Sequence, residues 1–142
     1  MISDIQSSRL LGFASLGLGA FSLFRGRDTA DALGIDKPEV VATAGGREIF
    51  TGLMAMGYPD RAWPIWARVA GDVMDLAVLG VALGRGNARR HNAAWAAIGV
   101  LGLTLVDVAV ASSLTRREHK ALATAKRTRV RRPLGEPMNK AA

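Results

Sequence analysis

The chain has 142 residues, 49% of them hydrophobic, and a formal net charge of +7, with a mean hydropathy of +0.17. This length predicts one domain, and the lack of cysteine excludes a disulfide framework, a thiolate metal site and a cysteine nucleophile. From residue 116 onward, nine basic residues stand against two acidic ones, so the whole excess of charge belongs to the C-terminal tail.

Residues 10–24 form the first apolar run, bracketed by Arg9 and Arg25. A membrane span needs about 20 residues, so we predict a helix over residues 6–24 with the Arg9 side chain reaching the lipid headgroups. Its glycines and serines are typical of membrane helices that approach one another closely. A secretory signal peptide is the alternative, but no A-x-A-like cleavage site follows the run and Asp4 weakens its basic flank.

Residues 25–36 are predicted to be a polar connection that allows one interfacial helical turn over residues 29–33. The second span is predicted over residues 38–57, because Pro38 suits the first turn of a helix and Pro59 follows its end. Arg47 and Glu48 fall near the middle of this span.

The third span is predicted over residues 63–83 and begins with Trp63 and Trp66, as a membrane interface favours. It carries Arg68, Asp72 and Asp75 at positions i, i+4 and i+7. On a helix these three side chains project from one stripe, and the apolar remainder covers the other faces.

The fourth span is predicted over residues 93–114, with Asp107 past its middle. The helix could continue through residues 121–127, but the charge density and Pro133 favour a solvated, partly disordered end. The sequence therefore predicts an all-α fold: a four-helix transmembrane bundle over residues 1–115 with a basic C-terminal tail over residues 116–142.

The distribution of basic residues predicts the orientation of this bundle. Four spans place both termini on one side, and that side carries eleven basic residues against six on the other. By the positive-inside rule both termini are expected in the cytoplasm, with the spans in a bacterial inner membrane. The tail is expected to bind anionic lipid, and nucleic acid is not an expected partner because no aromatic residue interleaves its charges.

Charges at the centre of a bilayer cost at least about 2.5–3.5 kcal/mol each, so they must face the bundle interior and pair. From their depths in antiparallel spans we predict that Arg68 pairs with Asp107, and that Arg47 pairs with Asp72 or Asp75. Two carboxylates are left over, and either they are protonated or they hold a cation or a proton. The predicted polar centre consists of Arg47, Glu48, Arg68, Asp72, Asp75 and Asp107.

Three functions fit these residues. The charges could be buried pairs that organise a non-enzymatic membrane or accessory module, or they could line a carrier or binding site for a proton, cation or small lipophilic ligand. Clustered carboxylates could instead hold Mg²⁺ in a lipid-modifying enzyme. We expect no enzyme, because no nucleophile or general base is identifiable. We likewise expect no cofactor and no resident metal, and either a homo-oligomer or a membrane-protein partner.

A soluble helical bundle remains an alternative to the membrane bundle, because polar residues interrupt each apolar run.

Three segments of the sequence resemble those of a known protein family: GGREIFTGL, PIWARVAGDVMDLAVL and LVDVAVA. Over residues 9–117 the chain resembles an uncharacterised bacterial family of small four-helix membrane domains. The family is similar to DoxX-type proteins and to segments that precede START-like cyclase/dehydrase domains. Nothing after residue 117 is long or hydrophobic enough for a START-like domain, so the resemblance implies a fold and a location, and no activity.

Overall fold

A computed structural model describes residues 4–84 and 86–131, and all regular structure in these residues is helical. The expected all-α class is therefore confirmed. The helices are α1 (Asp4–Phe24), α2 (Gly26–Leu33), α3 (Pro38–Gly57), α4 (Trp63–Ala82) and α5 (Arg90–Arg131). The four long helices include the four predicted spans almost completely, whereas α2 lies where a polar connection was predicted.

Helices α1 and α3 pack closely and antiparallel, because both carry glycines seven residues apart on the facing sides. Gly12 lies opposite Gly52, and Gly19 lies opposite Gly45. A Cβ atom added at Gly19 would lie 2.6 Å from the carbonyl oxygen of Gly45, so the two backbones approach too closely for a side chain. Small residues thus set the distance between these helices, as they do in membrane proteins.

Helices α4 and α5 form the second antiparallel pair, and α3 joins the two pairs by packing against α4. One buried apolar cluster, which includes Leu11, Ile65 and Leu114, lies at the end of the bundle where α4 begins. Another, which includes Leu79 and Ala93, lies where α4 ends. The residues of α4 and α5 that were predicted for the polar centre fall between these clusters along both helices, so this centre has apolar packing above and below it.

Helix α2 is longer than the predicted helical turn because tertiary contacts hold both its face and its end. Gly26 and Ala30 are buried, and the helix ends at Gly34 in the left-handed region, with φ at 68°. Asn87 in the α4–α5 connection donates a hydrogen bond from Nδ2 to the Leu33 carbonyl at 2.8 Å. The connections at this end of the bundle are thus fastened to one another.

Helix α5 continues well past the predicted fourth span, to Arg131. Its 42 residues span about 63 Å at 1.5 Å per residue, roughly twice the hydrocarbon thickness of a bilayer. The prediction of a partly disordered end is therefore wrong for residues 116–131, which are rich in alanine, lysine and arginine, all good helix formers. Pro133 and the rest of the tail lie outside the described residues.

The first turn of this extension is also docked onto α4. The Ala62 amide donates a hydrogen bond to Glu118 Oε1 at 3.0 Å, and Trp66 Nε1 donates to Thr115 Oγ1 at 3.1 Å. A carboxylate at the start of a helix satisfies a free amide and complements the positive end of the helix dipole.

Candidate functional site

Six ionisable side chains meet in the middle of the bundle, and we call them the charged centre. Helix α3 contributes two of them, α4 three and α5 one. The charged centre consists of Arg47, Glu48, Arg68, Asp72, Asp75 and Asp107. The structure therefore brings together all six residues of the predicted polar centre.

Arg68 is the hub of this arrangement, and its side chain has no exposed surface. Its Nε lies 2.9 Å from Asp107 Oδ2, and the Asp107 side chain is fully buried as well. The Nη1 atom of Arg68 lies 3.3 Å from Glu48 Oε2. The predicted pair of Arg68 with Asp107 is confirmed, and one guanidinium links α3, α4 and α5.

Ser15 extends this network to the remaining long helix. Its hydroxyl donates a hydrogen bond to Glu48 Oε2 at 2.6 Å, and the residue is fully buried. The sequence indicated Ser15 only as a small packing residue, although its place between Gly12 and Gly19 faces it toward α3. Sequence analysis missed it because a serine in a run of small residues gives no sign of its partner.

Arg47 forms the second ion pair and lies nearer the surface of the bundle. Its Nη2 is 2.6 Å from Asp75 Oδ2, and both side chains are 24% exposed. This selects Asp75 from the two predicted alternatives. The guanidinium lies over Gly71, where an added Cβ would come within 2.6 Å of Nε, so the glycine makes room for the arginine.

Asp72 is 2% exposed and faces the side chain of Thr104 on α5. Its Oδ2 has no hydrogen-bond partner among the described residues. One carboxylate oxygen from each of Glu48, Asp72 and Asp75 lies within 4.8 Å of the others. We call these three residues the carboxylate triad, and their donor set of hard oxygens suits a hard cation.

Three further buried polar atoms of the charged centre have no hydrogen-bond partner in the described part of the chain. They are Arg47 Nε, Arg68 Nη2 and Asp107 Oδ1. Buried polar groups in native proteins are nearly always satisfied, by protein, water or ligand. With all six groups ionised, the centre has two positive and four negative charges, and this surplus of negative charge marks it as a cation-attracting environment.

Large apolar side chains, by contrast, lie on the outside of the bundle. Phe13, Phe21, Phe24, Val81 and Leu105 are between 58% and 84% exposed, and others on all four long helices are similar. Charged groups inside and apolar groups outside are the reverse of the pattern in water-soluble domains, which rarely expose large contiguous apolar patches. By length and composition two segments could cross a membrane, Ile5–Phe24 and Arg90–Thr128.

No family model, curated protein or solved structure matches this chain. The resemblance to DoxX-type membrane proteins therefore stays a prediction. Function is inferred from the arrangement of the side chains, and the observation with most weight is the fully buried Arg68 inside a bundle that exposes many large apolar side chains.

Proposed function

We propose that this chain is a four-span integral membrane protein of the bacterial inner membrane, related to DoxX-type proteins. It acts as a non-enzymatic membrane or accessory module whose charged centre fastens the helices together. The observation that carries this proposal is the inverted distribution of side chains, with Arg68 and Asp107 fully buried and residues such as Phe24 and Val81 more than 80% exposed. In lipid, apolar exteriors and internally paired charges are the favoured arrangement.

Helices α3 and α4 support four spans rather than two. Each has 20 residues, or about 30 Å of helix, which is the thickness of the hydrocarbon core. What separates them from α1 and α5 is that each carries two or three charges near its centre, and those side chains belong to the charged centre inside the bundle. Pairing lowers the cost of placing such charges at membrane depth.

Cysteine labelling tests the topology cleanly, because the chain has no cysteine of its own. Single cysteines at the exposed positions Asp60, Ala88 and Ala121 report the α3–α4 turn, the α4–α5 connection and the extension of α5. In intact cells we expect a membrane-impermeant maleimide to label only Ala88→Cys, because the other two positions should be cytoplasmic. Labelling of positions 60 and 88 to the same extent would mean that α4 does not cross the membrane, which would contradict the four-span proposal.

Alkaline extraction of membranes is the complementary test of integration. We expect the chain to stay in the pellet at high pH, together with a known multi-pass protein. Release into the supernatant would contradict the membrane proposal and favour the soluble bundle.

A second candidate function is a carrier or binding protein for a proton, a cation or a small lipophilic ligand. The carboxylate triad supports it, because the two arginines of the charged centre leave two carboxylates without a matching positive charge. Purified protein in liposomes would show a proton or cation flux that Asp75→Asn abolishes without unfolding the chain. A folded Asp75→Asn variant with unchanged flux would remove the main support for a carrier.

A further inference from the structure

We propose that the carboxylate triad of Glu48, Asp72 and Asp75 is a binding site for one divalent cation of about the size of Ca²⁺. This gives the second candidate function a ligand class. It rests on that candidate function and on the triad lying within the bundle, and it does not depend on how many helices cross a membrane.

The distances within the triad are closer to those of a calcium site than to those of a magnesium site. At the 4.8 Å limit the three oxygens lie about 2.8 Å from a common centre, so a small side-chain adjustment would bring them to calcium–oxygen distances of about 2.3–2.6 Å, whereas Mg²⁺ requires about 2.0–2.1 Å. Glu48 uses Oε2 for its bonds to Ser15 and Arg68, and its Oε1 lies 3.9 Å from Arg47, beyond hydrogen-bond distance. Asp75 binds Arg47 through Oδ2, which leaves its Oδ1 free of the arginine.

The second observation is the unpartnered oxygen of Asp72. Its side chain is almost completely buried, yet Oδ2 accepts no hydrogen bond from the described residues. An unsatisfied buried carboxylate oxygen costs free energy, and a bound cation would supply the missing interaction. A divalent ion would neutralise the two surplus negative charges of the centre, whereas a monovalent ion would neutralise only one of them.

The arrangement also shows where an ion would enter. Arg68 and Asp107 close the inner side of the centre with no exposed surface. Asp75 and Arg47 are both 24% exposed, so the triad opens toward the surface at this pair. Arg47 therefore competes with the cation for Asp75, and its removal should strengthen cation binding rather than weaken it.

The test is thermal unfolding of the full-length, detergent-solubilised chain after treatment with EGTA. At a Ca²⁺ concentration 100-fold above the dissociation constant we expect the midpoint to rise by about 5 °C or more. Mg²⁺ should give a smaller rise, and NaCl at equal ionic strength none. Asp72→Asn should abolish the Ca²⁺ effect, whereas Asp36→Asn, which removes an exposed carboxylate, should retain it.

Arg47→Gln is the most discriminating variant. If Arg47 only stabilises the bundle, its removal should not increase the Ca²⁺-dependent rise in the unfolding midpoint, whereas removal of an arginine that competes with the ion should increase it. The variant should be less stable than the wild type without Ca²⁺ and should show a larger Ca²⁺-dependent rise. Native mass spectrometry of the wild type should show one calcium ion per chain that EGTA removes. If Asp72→Asn does not fold, Asp75→Asn takes its place.

An absent Ca²⁺ effect in both the wild type and Arg47→Gln would overturn the proposal. So would an equal effect in the wild type and the triad variants, because the ion would then bind elsewhere. The two proposals can fail independently. An absence of Ca²⁺ binding would not contradict the four-span module, and labelling results that exclude four spans would not contradict Ca²⁺ binding.

Discussion

The guanidinium of Arg68 and the carboxylate of Asp107 lie 2.9 Å apart with neither side chain exposed, although the two residues are 39 positions apart in the chain. Glu48 contacts the same guanidinium, and Ser15 contacts Glu48. A continuous chain of polar contacts therefore crosses all four long helices at one level of the bundle. Groups fixed in this way specify the register of the helices even where their net stabilisation is small.

The first prediction concerns the coupling between these two residues. Arg68→Met should lower the free energy of unfolding by about 3–5 kcal/mol, because it leaves Asp107 buried without a counter-charge. The double variant Arg68→Met/Asp107→Leu should cost clearly less than the sum of the single variants, since it removes both charges. Thermal unfolding in detergent measures all members of the cycle. Additive costs would show that the ion pair does not couple the helices.

The second prediction concerns the close approach of α1 and α3. Gly19→Ala should destabilise the protein by about 1–3 kcal/mol, because its Cβ would lie within 3.0 Å of backbone atoms of Gly45 and Ile49 on α3, so the two helices would have to move apart. Gly17→Ala is the matched control, two residues away on the same helix with no atom within 4 Å of the added Cβ. It should be neutral or stabilising by up to about 1 kcal/mol from helix propensity.

The same contrast holds on the opposing helix, where Gly45 and Gly46 are adjacent. An added Cβ at Gly45 would lie 2.7 Å from the Gly19 carbonyl oxygen, and one at Gly46 would meet nothing within 4 Å. Gly45→Ala should therefore lower the midpoint of thermal unfolding and Gly46→Ala should not. Equal effects of the two variants would mean that α1 and α3 are further apart than described.

The third prediction concerns Asn87, which joins three elements at one end of the bundle. Its Nδ2 donates to the carbonyls of Leu33 and Ala82 at 2.8 and 2.7 Å, whereas Asn92 Nδ2 donates to one carbonyl among the described residues, that of Ala32. Asn87→Ala should cost more stability than Asn92→Ala, since each lost hydrogen bond is worth about 1 kcal/mol. Hydrogen exchange should also show faster opening of α2 in Asn87→Ala. A larger effect of the Asn92 substitution would contradict this assignment.

The ion pairs followed from the sequence because depth in an antiparallel bundle depends only on position along each helix. Arg68 and Asp107 fall at the same level whatever the lateral order of the helices, and so do Arg47 and Asp75. Glu48 was placed at the right depth too. Its partners Arg68 and Ser15 were not predicted, because the rotation of α3 and the choice of neighbouring helices are set by packing across the whole bundle.

Two other features needed information that is not local in the sequence. Helix α2 is stabilised by the burial of Ala30 and by Asn87, which lies more than 50 residues further along the chain. The extension of α5 begins with Glu118 bonded to the Ala62 amide. Charge density alone favoured disorder there, whereas helix propensity and this tertiary hydrogen bond favour the helix that is present.

The fourth prediction tests whether Gly71 exists to accommodate Arg47. A Cβ at position 71 would lie 2.6 Å from Arg47 Nε and 2.8 Å from Cζ, so the flexible guanidinium would move and lose its bond to Asp75. Gly71→Ala should therefore lower the free energy of unfolding by about 1 kcal/mol, the usual value of a hydrogen bond, because the pair is partly exposed. Gly80→Ala on the same helix, with nothing within 4 Å, is the control and should not destabilise.

The sign of the Gly71 effect should depend on Arg47. In an Arg47→Ala background the space is already open, so Gly71→Ala should become neutral or stabilising by up to about 1 kcal/mol through helix propensity. Thermal unfolding of the four members of this cycle measures the reversal. An equal cost of Gly71→Ala in both backgrounds would mean that the glycine is needed for helix packing rather than for the position of the arginine. If the carboxylate triad binds Ca²⁺ in competition with Arg47, Gly71→Ala should also increase the Ca²⁺-dependent rise in the unfolding midpoint.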